Sequence, residues 1–379
     1  MSVVALTGCP SYDSENVLAA VRRGIDLLGG PEAFVRAGEK ILLKPNLLAG
    51  RSPQQAVTTH PEVFAAAARV FAGAGAVLSY GDSPGYDRLS SVARKTEIAA
   101  AAEKLGITQA DFETVEEVPA QDGGSYPLAQ GVRAADGVIS LCKMKTHGLT
   151  RITGAVKNQL GCIVGFEKAR LHFRNPNPQR FSARLAEITR IVNPRLYIMD
   201  GIIAMEGEGP SSGSPVAMGV LLFSRDPVAL DRVFCKLIAL DPSCVPTIAA
   251  ASAQGLGAAD EPALAGDEVT CFIKPDFDVI RRPVTGDILF PPLRPFKNSI
   301  LPRPVIDAAL CRKCGICVDA CPAQRRKALA FPAGEKSPPR FTVRRCIRCY
   351  CCQEMCPHRA IRIKTPVMGR ILARLLGNH

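Results

Sequence analysis

One spacing of four cysteines occurs twice near the C-terminus of this chain of 379 residues. Cys311, Cys314, Cys317 and Cys321 precede Pro322; Cys346, Cys349, Cys352 and Cys356 precede Pro357. Both runs read C-x-x-C-x-x-C-x-x-x-C-P, a spacing that holds a 4Fe–4S cluster. Three thiolates on a tight loop cap three irons of one cubane, and the fourth cysteine leads away to ligate the other cluster. The crossing predicts one cluster on Cys311, Cys314, Cys317 and Cys356, and a second on Cys346, Cys349, Cys352 and Cys321. Zinc sites pair their ligands and need no third cysteine at the same step. Disulfide frameworks suit short secreted chains.

Residues 305–363 resemble bacterial two-cluster ferredoxins. Cys351 departs from the small residue usual between the second and third ligands, and it reads as a spare thiol rather than a ninth ligand. Hydrophobic residues make up 47% and charged residues 22%, as in soluble globular proteins. No apolar run reaches the length of a membrane span, and the start, MSVVALTGCPSYDSENV, lacks the basic and apolar regions of a signal peptide. Oxygen-sensitive clusters and 15 cysteines fit a reducing cytoplasm.

Residues 301–379 hold 16 Lys and Arg against 4 Asp and Glu, which is the whole +12 of the chain. The excess includes Arg312, Lys313, Arg325, Arg326, Lys327, Arg344, Arg345 and Arg348. Such charge steers an acidic redox partner (a ferredoxin, flavodoxin or reductase), raises cluster potentials, or is simply a solvated basic surface. Nucleic acid is disfavoured because the module has few aromatics for base stacking.

Residues 1–272 alternate β-rich runs with Ala-rich helical stretches, which argues for an α/β domain with a mostly parallel sheet. Expected strands are 40–43, 76–80, 137–141, 196–199 and 219–223; expected helices are 15–28, 61–72 and 181–191. Residues 273–304 read as a Pro-rich linker. Residues 305–365 form a small α+β ferredoxin-like domain with two 4Fe–4S clusters, whose insert from Pro322 to Arg345 makes a hairpin-like connection. Residues 366–379 form a basic amphipathic tail, with Val367, Met368, Ile371, Leu372, Leu375 and Leu376 on one helical face. Packing on its own protein is the ordinary use of such a face; a membrane surface or a partner is the other.

Each expected strand runs into a polar turn, and ligands of open α/β sheets bind beyond the carboxyl ends of the strands. Five such ends would converge if the strands are parallel. The rim would hold Lys44, Asn46, Asp82, Lys143, Lys145, His147, Lys157, Asp200 and Glu206, a mixture suited to an anionic or metal-bound small molecule, with His147 placed for proton transfer. Taken singly, an Asp before Gly or Ser is a turn former and a Lys after a strand is solvated. The glycine-rich stretches 154–161 and 206–213 lack phosphate-loop or dinucleotide spacing but present amides suited to an anion. Cys142 and Cys162 flank the rim as candidate nucleophiles or ligands, although free cysteines are commonly just buried.

LLKPN, GDSPG, KMKTHGLT, GAVKNQLG, MDGIIAMEGEGP and DPVALD occur in order over about residues 40–240. Together they resemble the domain-of-unknown-function 362 family, whose members often carry an appended two-cluster ferredoxin. The resemblance implies an iron–sulfur protein and a shared site at Lys44, Asn46, Asp82, Lys145, His147, Lys157, Asn158, Asp200 and Glu206, but no substrate. The expectation is a redox enzyme or cofactor-maturation enzyme in which two clusters relay electrons to or from the rim. The alternative is a ferredoxin-type carrier whose α/β domain is a docking or assembly platform. A redox sensor ranks below both, because no DNA-reading motif is visible.

Overall fold

The computed structural model describes residues 2–121, 123–165, 167–258, 260–284, 296–332 and 337–375. Leu376 and the middle of the Pro-rich stretch, residues 285–295, lie outside them.

The strands of the large domain are, in chain order, β1 (Val3–Gly8), β2 (Lys40–Pro45), β3 (Val77–Tyr80), β4 (Thr108–Gln109), β5 (Val115–Pro119), β6 (Ser125–Ala129), β7 (Gly137–His147), β8 (Arg151–Thr153), β9 (Leu196–Glu206), β10 (Ser214–Ser224) and β11 (Ala263–Gly266). All but the β5–β6 hairpin join one sheet in the order β11-β1-β10-β9-β7-β2-β3-β4, with β8 folded back on β7. Strands β4, β3, β2, β7 and β9 are mutually parallel, whereas β10 is antiparallel to both β9 and β1. The domain is therefore α/β with a mixed, mostly parallel sheet. Ile41, Leu42 and Leu43 are an uninterrupted apolar run with no exposure, as a strand covered on both faces requires.

Two groups of helices pack on the sheet, one with 14–26 and 61–73, the other with 178–192, 227–237 and 246–253. Their starts are written in the sequence. Asp13 accepts from Asn16 N, Asn177 from Gln179 and Arg180 N, and Asp226 from Val228 and Ala229 N. Pro61, Pro178 and Pro227 occupy the first helical position, where their missing N–H costs nothing.

The direction of β10 corrects one expectation. Its end at Arg225-Asp226 lies at the edge opposite the carboxyl ends of β2, β3, β7 and β9, so it adds nothing to the rim. The cause is local: β9 and β10 are joined by a short connection that pairs Glu206 with Ser214 as a hairpin. Two expected turns are also strand. Strand β7 continues to His147 and β9 to Glu206, which puts Lys143, Lys145, His147 and Asp200 inside the sheet rather than after it. Of the Pro-rich stretch, residues up to 284 lie against the α/β domain. Phe277 is fully buried, and Arg281 donates to the Ile238, Pro275 and Phe277 carbonyls.

In the C-terminal module, β12 (Arg303–Ile306) pairs antiparallel with β15 (Ile361–Lys364), and β13 (Leu329–Ala330) with β14 (Arg340–Phe341). The last pair spans the insert; its residues 333–336 lie outside the described ones. The two cysteine runs repeat one backbone. Lys313 and Arg348 have φ of 57° and 58°, and Gly315 and Tyr350 have φ of 83° and 63°. The left-handed region is open to glycine but strained for a bulky side chain. Tyr350 is held there by burial and by its hydroxyl, which donates to the Pro302 carbonyl at 3.2 Å.

Candidate functional site

At the rim, β2 and β3 end side by side. Lys44 Nζ lies 2.8 Å from Asp82 Oδ1, and both side chains are buried. Asp82 Oδ2 accepts from Leu47 N at 2.6 Å. Glycine is required opposite: a Cβ on Gly161 would fall 1.8 Å from Asp82 Oδ1 and 2.9 Å from Lys44 Nζ. Strand β7 adds Lys145, whose Nζ donates to Asn46 Oδ1 at 2.8 Å and to the Val57 carbonyl at 2.6 Å. Asn46 Nδ2 donates to Asn158 Oδ1 at 3.1 Å, and Asn158 Nδ2 to Ser140 Oγ at 2.9 Å. Burial, then the nearby Lys157 charge, holds the Lys145 ammonium well below its ordinary pKa.

Lys157, on the short helix Ala155–Asn158, is buried, and its Nζ makes no hydrogen bond or ion pair among the described residues. Burial lowers its pKa. This unpaired cation faces a cavity of about 860 Å³, counting its open mouth. Asn46, Asp82, Lys145 and Asn158 share the wall from the α/β side, and Ala320, Cys351, Glu354 and Met355 close it from the cysteine module. The cavity is thus built by both halves of the chain.

Several contacts seat the module there. His147 Nδ1 accepts from Leu149 N and Thr150 N, which leaves its proton on Nε2, and Nε2 lies 2.9 Å from Glu354 Oε1. Burial drives His147 down to about 4, so the ring is neutral at pH 7. Burial raises the Glu354 carboxyl, but the positive charge it faces at His147, Lys157 and His172 outweighs this and lowers it. Burial holds both imidazoles neutral at pH 7, so the His147 hydrogen bond and the nearby Lys157 remain as the partners of that carboxylate. Gln353 Nε2 donates to the Glu208 carbonyl at 2.8 Å, Ser211 Oγ to the Glu354 carbonyl at 2.7 Å, and Arg51 to the Pro357 and Cys356 carbonyls. The glycine-rich stretch 206–213 therefore receives the module, with Pro210 on the cavity wall. Met355 enters where Gly85 has no side chain, since a Cβ there would lie 2.3 Å from its Cε.

The expected site divides. Asn46, Asp82, Lys145, Lys157 and Asn158 line the cavity, with Lys44 behind Asp82 and His147 behind Glu354. Lys143 and Asp200 form a separate buried pair at 2.7 Å, bridged by the Tyr12 hydroxyl, which lies 2.9 Å from Lys143 Nζ and 2.8 Å from Asp200 Oδ1. Glu206 turns away and accepts from Asp278 N at 2.9 Å. Cys142 and Cys162 are buried and miss the cavity wall; burial raises both thiols, Cys162 to about 12, so neither is a poised nucleophile.

Lys168, His172 and Glu354 also line the cavity and were not expected there. Lys168 Nζ donates to Ser83 Oγ at 2.7 Å and to the Ser83 and Pro84 carbonyls, which anchors the turn after β3; burial pushes it down to about 7. His172 stacks on Phe181 at 4.0 Å, and its buried Nδ1 has no partner among the described residues. Their positions depend on where helix Glu167–Arg174 packs, for which local sequence has no signal.

Two smaller cavities, of about 340 and 320 Å³ with their mouths, lie among the cysteines of the module. Cys311, Cys314, Cys317 and Cys356 wall the first, and Cys321, Cys346, Cys349 and Cys352 the second. The thiols surround a space instead of converging on one point, and among the described residues none forms a single-ion site. An all-thiol quartet around each cavity fits a 4Fe–4S cluster, with the crossing expected from the spacing. Cys351 lines neither, only the large cavity. Ala320 and Cys351, on the large cavity's wall, are chain neighbours of Cys321 and Cys352 of the second quartet. Cys314, Arg312 and Lys313 leave the edge of the first quartet exposed, whereas Arg348 turns inward to donate to Asn298 Oδ1 at 2.8 Å and leaves the expected basic surface.

Comparison with known proteins agrees with this division. A family model for a domain of unknown function, DUF362, matches residues 41–236, and a 4Fe-4S dicluster domain matches residues 303–357. A thylakoid-associated protein of Synechocystis sp. is 37% identical over 255 residues, covering 67% of this chain and 79% of that protein. Among solved structures, the lactate racemase apoprotein of Thermoanaerobacterium thermosaccharolyticum has a TM-score of 0.40 and 13% identity over 63% of this chain. A Thermotoga maritima protein has a TM-score of 0.36 and 12% identity over 65% of it. The chain spans 57% and 60% of those two proteins. Among the described residues no helix is long and apolar enough to cross a membrane.

Proposed function

The chain belongs to the DUF362 family and ends in a 4Fe-4S dicluster domain, and from that premise we propose that it is an iron–sulfur oxidoreductase acting on a small anionic molecule in the shared cavity. The observation that supports this most is the unpaired, buried Lys157 on a wall formed jointly by the rim and the module. Only the Glu354 carboxylate lies near it, and no group pairs with it in contact; a buried cation so poorly compensated is costly, and a bound anion lowers that cost. Cys311, Cys314, Cys317 and Cys356 would hold one cluster, and Cys346, Cys349, Cys352 and Cys321 the other. Bound there, the clusters supply single-electron transfer.

The chain's own residues do the rest. Lys157 binds the anion, and an anion bound there would favour the charged form of Lys145, which Asn46 and Val57 hold in place. Neutral His172 offers its free Nδ1 as a hydrogen-bonding point for the ligand. Lys44–Asp82 and Lys143–Asp200 hold the strand ends in place, and of these four only Asp82 reaches the cavity wall. An acidic donor protein docks at the exposed edge of the first quartet, guided by Arg312 and Lys313. A reducing compartment such as the cytoplasm suits the fifteen cysteines.

Native mass spectrometry of the anaerobically purified full chain tests the reading. The expected spectrum shows two clusters plus a small anion, and Lys157→Met loses the anion while keeping both clusters. A chain that retains no anion, or a variant that loses clusters and anion together, would refute the substrate site and leave an electron carrier.

A further inference from the structure

We propose that the C-terminal helix Val367–Leu375, together with Phe296, is a docking face for an anionic lipid surface. This is independent of the cavity.

One side of the helix is committed to the protein. It packs on residues 297–300, and a Cβ on Gly369 would lie 1.9 Å from the Ile300 carbonyl oxygen. Only glycine allows so close an approach, and that approach fixes which side faces out. Val367, Met368 and Ile371, at i, i+1 and i+4, stay 59%, 52% and 52% exposed. Phe296, next to the segment the helix packs on, is 52% exposed. These four large apolar side chains therefore extend over two adjoining segments, unlike the scattered single residues usual on a soluble surface.

Charge selects the occupant. Residues 355–379 contain five Lys and Arg and no Asp or Glu. Arg370 is exposed on the helix, and Arg362 and Lys364 are exposed just before it. Arg362 and Lys364 also face the Glu208 carboxylate, but the stretch that carries the apolar side chains bears cations alone, which matches the boundary between anionic headgroups and acyl chains. A second copy of the chain is a poor occupant, because two such faces would bring like charges together. Nine helical residues lie on a bilayer rather than across it. So short an apolar face also needs electrostatic help, which makes the attachment reversible and sensitive to salt.

Co-sedimentation of the cluster-loaded full chain tests this, using vesicles of phosphatidylcholine alone and of phosphatidylcholine with phosphatidylglycerol. The expected result is pelleting with the anionic vesicles only, weakened by high salt. Ile371→Glu and Met368→Glu each lower partitioning about tenfold or more, with cluster absorbance unchanged because both side chains are exposed. Arg370→Glu weakens binding through charge alone, which guards against a folding effect. Failure of the wild type to pellet with anionic vesicles at low salt overturns the proposal. So does binding that Ile371→Glu and Met368→Glu leave intact, or a dimer seen by light scattering that these variants abolish.

Discussion

Changing Asp82 to Asn isolates what the Lys44–Asp82 pair contributes. Both groups are buried at 2.8 Å, and the carboxamide introduced by Asp82→Asn would keep an acceptor for Leu47 N. What is lost is the charge that compensates Lys44, whose side chain has no exposure. Breaking one side of a buried ion pair costs about 3–5 kcal/mol, because the other charge stays buried alone. That is a loss of roughly two to three and a half powers of ten in the folding equilibrium. Adding Lys44→Met removes the orphaned charge while keeping the acceptor for Leu47 N, so the double variant should recover most of the loss. Anaerobic urea unfolding followed by far-UV circular dichroism measures both, from midpoint and slope. If Asp82→Asn costs less than about 1 kcal/mol, or the double variant is no more stable than the single one, the pair is not the strut described here. Its carboxylate would then be free to serve a ligand.

Other expectations address different parts of the molecule. Burial raises Asp231 to about 7 against 3.8 when unfolded, despite the hydrogen bonds it accepts from Ala155 and Val156 N. The folded state therefore takes up a proton: the contribution to stability is full below about pH 4 and is lost as pH rises to about 7, amounting to roughly 4 kcal/mol. Asp231→Asn should flatten that window in thermal melts across pH; an unchanged difference from wild type at every pH would contradict the assignment. Cys356→Ala should disturb only the electron paramagnetic resonance signal of the first quartet's cluster, and Cys321→Ala that of the second, each with about half the iron retained at first. Signals that follow the order of the runs, with no crossing, would reassign the ligands. Gly161→Ala should destabilise the α/β domain by about 1–3 kcal/mol, because its Cβ would fall 1.8 Å from Asp82 Oδ1; an unaltered melting curve would mean the turn shifts freely.

The grouping of the cysteines was legible in the sequence: the quartets expected from the spacing, with Cys321 and Cys356 crossed, are those that wall the two smaller cavities, and their role as cluster ligands is our proposal. Strand and helix positions were legible where a local device sets them, as with the apolar run at Ile41–Leu43 and the caps at Asp13 and Asn177. Lys143, Lys145 and Asp200 were read as turn residues because charged side chains seldom sit inside a sheet. Partners distant in sequence, Tyr12 and Asn46 among them, satisfy those charges, and period and propensity cannot show this. The reversal of β10 depended on a hairpin rather than on the apolar run that marks the strand.

The composition of the cavity belongs to tertiary structure. Sequence order suggested one rim, but packing divided it: Glu206 went to Asp278, Lys143 to Asp200, and Lys157 was left facing the cavity. Lys168 and His172 joined from a segment whose local sequence names no site, and Glu354 from within the second cysteine run, where nothing marked it for the rim. The physical reason is clearance and desolvation. Gly85 admits Met355, Gly161 admits the Lys44–Asp82 pair, and burial then determines which charges are paired and which remain for a ligand.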